Sequence, residues 1–272
     1  MANLSISAAW DETKAILAHD GKLFASVALA LIALPALVTG LVSPNSTPEA
    51  ARPLWADVLI IVVSLIGLAG QLALIRLALG PSITVGGAIA HGLRRVPIYL
   101  VAGIIIVVGL IIAAIPFAAI LIAMGVPIEA DMKPSGTVAL LAMVYLAIVL
   151  FIGIRMIMAW PVASAEAVGP IAILKRSWLL TAGQFWRLFG FVAMFFIGAL
   201  VMLIAVGSAV GVVAGVAVGP IQPMSASALI VALVQSLLNA VITTVFAVML
   251  ARMYASVAGG SEVQPSVPKS GT

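Results

Sequence analysis

The sequence predicts an all-α polytopic membrane bundle of six transmembrane helices with three short interfacial helices, and three observations predict it. Hydrophobic residues make up 64% and charged residues 8% of the 272 positions, whereas an ordinary soluble domain carries about 25% charge. Uncharged runs long enough to cross about 30 Å of hydrocarbon recur along the chain, and the run from Leu188 through Ala251 holds no charge at all. The breaks between runs carry Pro, Gly, Ser and basic residues, as connections between spans do. Residues 1–258 therefore read as one membrane domain, and 259–272, rich in Gly, Ser and Pro, as a disordered tail.

The chain opens on a short interfacial helix over about 5–20, in which Ile6, Trp10, Thr13 and Leu17 share a face opposite Asp11, Glu12 and His19. Gly21 is expected to end it, giving way to a first span over 22–42. After the loop Ser43–Pro53 a second span runs over 54–79, with Arg76 near its end. A second short helix is expected over 83–95, capped by Ser82 or Thr84 and ending in His91, Arg94 and Arg95. Pro97 then turns the chain into span three, 98–124, where Pro116 predicts a kink. Loop 125–136 carries Glu129, Asp131 and Lys133, and span four covers 136–160. Span five is placed at 186–216 and span six at 226–254, divided by Gly219-Pro220 and Gln222-Pro223.

Residues 155–187 hold the densest cluster of charges, tryptophans and turn signals in the chain. Trp160-Pro161 is expected to end span four. Gly169-Pro170 starts a third short helix, 168–182, because Pro suits a first helical position, and Gly183 stops it. The order Arg155, Trp160-Pro161, Glu166, Gly169, Ala172, Arg176-Ser177-Trp178, Leu180-Thr181, Gly183 and Phe185-Trp186 resembles the membrane-domain family named after glycerophosphoryl diester phosphodiesterase, including its YciC-like integral membrane proteins. The resemblance implies a membrane part without the phosphodiesterase domain, in a bacterial inner membrane. It implies no activity.

Pairing Gly21 with Gly183 also pairs Lys14 with Arg176 and Phe24 with Trp186, each at an offset of 162, and Val85-Gly86 matches Val168-Gly169. These matches predict a threefold internal repeat, in which a short helix precedes two spans and the second span ends near Arg76, Arg155 or Arg252. Such repeats place eleven of thirteen Lys and Arg on one side, leaving Arg52 and Lys133 on the other. By the positive-inside rule that side is cytoplasmic, with both termini inside.

Four groups of residues are candidates for function. Arg76, Arg155 and Arg252, with Lys175 and Arg176, are expected to meet anionic lipid headgroups, because guanidinium forks match phosphate oxygens. Glu166, Arg155 and Gly183 read as a structural clamp, with Glu166 paired to Arg155 or Arg176. Gly207, Gly211, Gly215 and Gly219 recur every fourth residue and read as a helix-packing stripe, within the chain or in a homo-oligomer. Gln71, Gln235, Asn239 and Thr243 would line a polar path in a transporter, or else bond helix to helix.

Enzymatic chemistry has little to stand on. The two histidines are far apart in sequence, carboxylates are scattered, and there is no Cys, so neither a metal, a cofactor nor a nucleophile is expected. Aromatic-basic tracts suited to nucleic acid are missing. The leading expectation is a non-enzymatic membrane protein that scaffolds or regulates a partner, with lipids as its surroundings; the alternative is a transporter or lipid-translocating permease.

Overall fold

A computed structural model describes residues 5–42, 53–80, 84–125, 136–222 and 224–262. These residues form α1 (Ile6–Ala28), a π-helical turn (Leu29–Ala33), α2 (Leu34–Val42), α3 (Leu54–Leu79), α4 (Val85–Ala123), α5 (Gly136–Met156), α6 (Ala159–Ala165), α7 (Pro170–Leu180), α8 (Phe185–Ala217) and α9 (Ala226–Glu262), with no strand among them. Six rods are long and apolar enough to span a bilayer: Ile6–Val42, Leu54–Leu79, Val85–Ala123, Gly136–Ala165, Phe185–Ala217 and Ala226–Gly259. The chain is a multi-pass membrane protein of all-α architecture.

The first rod differs from expectation. Ser5 caps it by accepting from the amide of Ala8 at 3.3 Å, but the helix then runs straight through Gly21. One face, with Thr13, Phe24, Val27 and Ala28, is buried continuously, and that burial holds the residue in helix. The interruption comes later, where the Leu34 amide bonds the Leu29 carbonyl in a wider turn. Pro35 explains it. Its ring has no N–H for the Leu31 carbonyl and would crowd that oxygen, and the π turn moves the oxygen aside. Gly70 of α3 receives it: a β-carbon built there would lie 3.0 Å from Leu31 O and 2.7 Å from Leu31 Cβ.

The short helix expected over 83–95 is likewise fused to its span. Thr84 is the cap, accepting from Gly87 N at 3.2 Å, while Ser82 lies outside the described residues. Both Pro97 and Pro116 sit inside α4. Pro97 costs one backbone bond, and the seam with α3 keeps the helix in line on both sides of it. Ala88, Gly92 and Val96 are buried at every fourth position, and Gly92 presses against the Ala69 carbonyl so closely that any side chain would collide with it.

Span four also ends differently. Pro161 does not stop the helix; it breaks it at Ile157–Met158, because Ile157 O loses its natural donor, and α6 continues to Ala165. The third short helix is the one that stands alone, with Gly169 at its cap and Pro170 at its first position. Gly183 follows in the left-handed region, φ +76°, where a β-carbon is strained. The three segments compared as repeats thus take two forms, two fused to their spans and one separate. Span six is longer than expected, since α9 reaches Glu262. Of the tail expected to be disordered, 263–272 lies outside the described residues, as do Arg52 and Lys133.

Two buried clusters fill the bundle. In one, Ala28, Ala33, Ala73, Ala78, Ala240, Ala247 and Ala251 bring the first rod, α3 and α9 together, as small residues do where no water drives helices into contact. The other surrounds α6, where Met158, Val162 and Ala163 meet Leu72, Ile173, Leu188 and Met253. The far halves of α4, α5 and α8 present apolar side chains outward, among them Ile104, Ile111, Ile115, Leu140, Met143, Ile197 and Ile204.

Candidate functional site

The residues between Arg155 and Gly183 assemble into a single hydrogen-bonded knot. Where Pro161 breaks the helix, the carbonyl of Arg155 has lost its helical partner, and the buried Ser177 hydroxyl of α7 donates to it at 2.8 Å. Thr181 Oγ1 stands between Ser177 O at 2.9 Å and Arg155 O at 3.2 Å. The guanidinium of Arg155 lies 4.6 Å over the Trp178 ring and donates to Trp178 O at 3.3 Å. It does not reach Glu166. That carboxylate takes Arg176 Nε at 3.1 Å and the Tyr254 hydroxyl at 2.7 Å on one oxygen, so the expected clamp holds with Arg176, and α9 joins it.

Helix α6 ties down two more elements. Ser164 Oγ donates to Leu72 O of α3 at 2.8 Å, and His91 Nε2 of α4 donates to Ser164 O at 2.7 Å. Ser164 is near the end of α6, where carbonyls lack helical partners, which is why its oxygen is free to accept. Trp160 lies against Tyr99 of α4, ring centres 4.4 Å apart. Neither Tyr254, Tyr99 nor Ser164 was singled out from the sequence.

The three arginines expected as a ring are engaged separately. Arg252 meets Glu12 at 2.6 Å, joining α9 to α1, Arg155 is absorbed by the knot, and Arg76 has no hydrogen bond or ion pair among the described residues. Lys175 is exposed on α7. The glycine stripe is not a helix seam within the chain: nothing lies within 4 Å of a β-carbon at Gly215, Gly211 meets only the tip of Ile221, and Gly219 follows α8 in the left-handed region, φ +121°. Gly207 alone is in close contact, with the Gln235 side chain. The tight seams are at Gly92, at Gly70 and at Gly40, whose β-carbon would stand 2.9 Å from Ala232 Cβ.

The polar residues give the clearest cavity. Gln71 and Ile75 of α3, Trp160 of α6, Phe195, Phe196 and Leu203 of α8, and Asn239, Thr243 and Phe246 of α9 line a space of about 410 Å³. Gln71 and Asn239 both line the space, and their amides have no hydrogen-bond partner among the described residues. Gln235 is not part of it; its Nε2 donates to Leu203 O at 3.4 Å. No ionisable side chain lines the space. Arg252 lies thirteen residues beyond Asn239 and Arg76 five beyond Gln71, which at 1.5 Å per residue are about 20 and 8 Å. Gln71 is thus the cavity residue nearer the basic end, and Asn239 lies deeper among the helices. Beside it, across Phe195, Ala199 and Ile242, an apolar groove of about 700 Å³ lies between α8 and α9 and is bounded by Ile6 and Trp10 of α1.

A family profile described as "Domain of unknown function (DUF7847)" matches residues 4–257. No curated protein and no solved structure matches the chain.

Proposed function

We propose that this chain, which belongs to the DUF7847 family of domains of unknown function, is a lipid-binding membrane protein that holds a lipid of the leaflet next to its basic end. The observation that carries the reading is the convergence of Gln71, Asn239 and Thr243 on one cavity, whose Gln71 lies about 8 Å along α3 from Arg76 of the basic end. Hydrocarbon offers an amide no partner, so an open Gln or Asn side chain in a span is unfavourable until something polar meets it. Ester carbonyls and glycerol hydroxyls of a lipid supply such groups at that depth, and the aromatic walls and adjoining apolar groove suit acyl chains. The role needs no catalytic group.

Binding is favoured over translocation by Gln235. A path across the membrane needs polar groups beyond Asn239, and the next turn of α9 spends its amide on Leu203 O. The described Lys and Arg support placing the basic end in the cytoplasm with both termini, by the positive-inside rule; the resemblance to YciC-like proteins supports a bacterial inner membrane.

A second reading, a scaffold for a protein partner, draws on α7. Ile171, Trp178 and Leu179 are exposed there beside Lys175, although Arg176 is committed to the clamp. Extraction into polymer nanodiscs, followed by mass spectrometry of everything retained, separates the two. Enriched lipid that is lost with Gln71→Leu plus Asn239→Leu supports the lipid site. A stoichiometric protein, lost with Leu179→Glu and kept by the cavity variant, supports the scaffold and overturns the first reading.

A further inference from the structure

A second polar constellation lies outside both the knot and the cavity. On α4, His91, Arg94 and Arg95 occupy positions i, i+3 and i+4 and so share a side of the helix. Gly92, seated on Ala69 and Ala73, fixes the antiparallel register that brings α3 alongside. Arg76 stands on α3 one position after the cavity-lining Ile75, about 100° round the helix. All three arginines stand near enough to His91 to act on it electrostatically, and His91 is held in place by its bond to Ser164 O.

At the same end Lys14 meets Asp11, Arg176 meets Glu166 and Arg252 meets Glu12, while Lys22 and Lys175 are single cations with no ion pair among the described residues. Arg76, Arg94 and Arg95 have no carboxylate partner among the described residues. Like charges gathered in a partly desolvated place repel, and the arrangement is stabilised only when an anion joins them. Two of the three, Arg76 and Arg95, are half-buried, which favours a bound ion over a diffuse atmosphere.

We propose that Arg76, Arg94 and Arg95, with His91 beside them, form a phosphate-binding site. Guanidinium forks match phosphate oxygens two at a time, and a tetrahedral anion with several acceptors can be shared by three of them. The phosphate belongs to an anionic phospholipid headgroup or to free phosphate from the aqueous side. The site uses none of the cavity residues and stands or falls apart from the cavity.

The test uses the full chain in nanodiscs of phosphatidylcholine with a minority of phosphatidylglycerol, and separately in detergent with orthophosphate. Wild type is expected to enrich phosphatidylglycerol around itself, and Arg76→Gln, Arg94→Gln and Arg95→Gln to weaken that enrichment about fivefold per guanidinium removed. A control that removes charge from the same end, Lys14→Gln with Lys22→Gln, is expected to keep it when set against the equal-charge variant Arg76→Gln with Arg95→Gln. Should the Gln triple variant fail to fold, Arg→Lys at the three positions carries the test, with weakened enrichment expected because charge stays and the fork goes. A rise in melting temperature with orthophosphate that needs the three arginines, without lipid enrichment, assigns the site to free phosphate. Equal enrichment in the variant and wild type, or equal loss in the control, with no orthophosphate effect, overturns the site.

Discussion

The hydroxyl of Ser177, which is fully buried, donates to the backbone carbonyl of half-buried Arg155 across 2.8 Å. Pro161 removes the helical donor at the neighbouring carbonyl and breaks the span, and a side chain from α7 closes the gap. Ser177→Ala is expected to destabilise the chain by about 1–3 kcal/mol, the cost of a polar group left without its partner in a buried place. Thermal unfolding in detergent measures the loss, and faster proteolysis between α6 and α8 locates it. Unchanged melting and unchanged proteolysis would mean that the knot does not hold α7.

The carboxylate of Glu166 accepts from both Arg176 and Tyr254, whereas Glu12 serves Arg252 alone and is half exposed. Glu166→Ala is therefore expected to cost about 1–3 kcal/mol and Glu12→Ala less than about 1 kcal/mol. Chemical or thermal unfolding of the two variants side by side ranks them. The reverse order counts against the clamp.

Glycines toward opposite ends of the bundle are expected to respond in opposite ways. Gly92→Ala puts a methyl group into the Ala69 carbonyl and is expected to cost about 1–3 kcal/mol by overpacking, while Gly215→Ala meets nothing within 4 Å and gains helix propensity. Melting temperatures of the two variants decide this. If Gly215→Ala is the damaging change, the stripe on α8 packs against another copy, and the monomer seam is not the relevant one.

Replacing Gln71 and Asn239 with Leu is expected to leave the fold as stable as wild type or more so, since neither amide has a partner to lose among the described residues and Leu is at home in hydrocarbon. Lipid retention should fall while melting temperature does not. A drop in both would make these residues structural.

The sequence holds no Cys, which makes single-cysteine mapping direct. With the basic end in the cytoplasm, a membrane-impermeant maleimide added to intact cells is expected to label Met124→Cys, exposed at the opposite end of α4, and to leave Lys175→Cys unlabelled until the cells are opened. The opposite pattern inverts the proposed orientation.

The legible part of the site was the part written in turn chemistry. Gly169-Pro170, Gly183 and the run from Glu166 to Thr181 could be read as one compact unit because Pro and Gly restrict the backbone wherever they stand. The carboxylate's partner was narrowed to two arginines and settled on Arg176; Tyr254, 88 residues away along the chain, gave no local signal. Gln71, Asn239 and Thr243 were recognisable as polar groups in apolar spans, but that they share a cavity while Gln235 does not depends on how α8 crosses α9.

The sequence by itself determined the class of structure: apolar runs with few charges leave helices as the open-chain way to satisfy the backbone in hydrocarbon, and their number and most boundaries followed. Tertiary structure alone decided which breakers break. Gly21 and Pro97 lie inside continuous helices because packing against α9 and α3 carries the helix through them. Pro35 widens a turn where Gly70 leaves room for the Leu31 carbonyl, and Pro161 splits a span where Ser177 takes up the Arg155 carbonyl left open at the break. A local signal fixes what a residue prefers, and the neighbours it meets across the bundle fix what that preference costs.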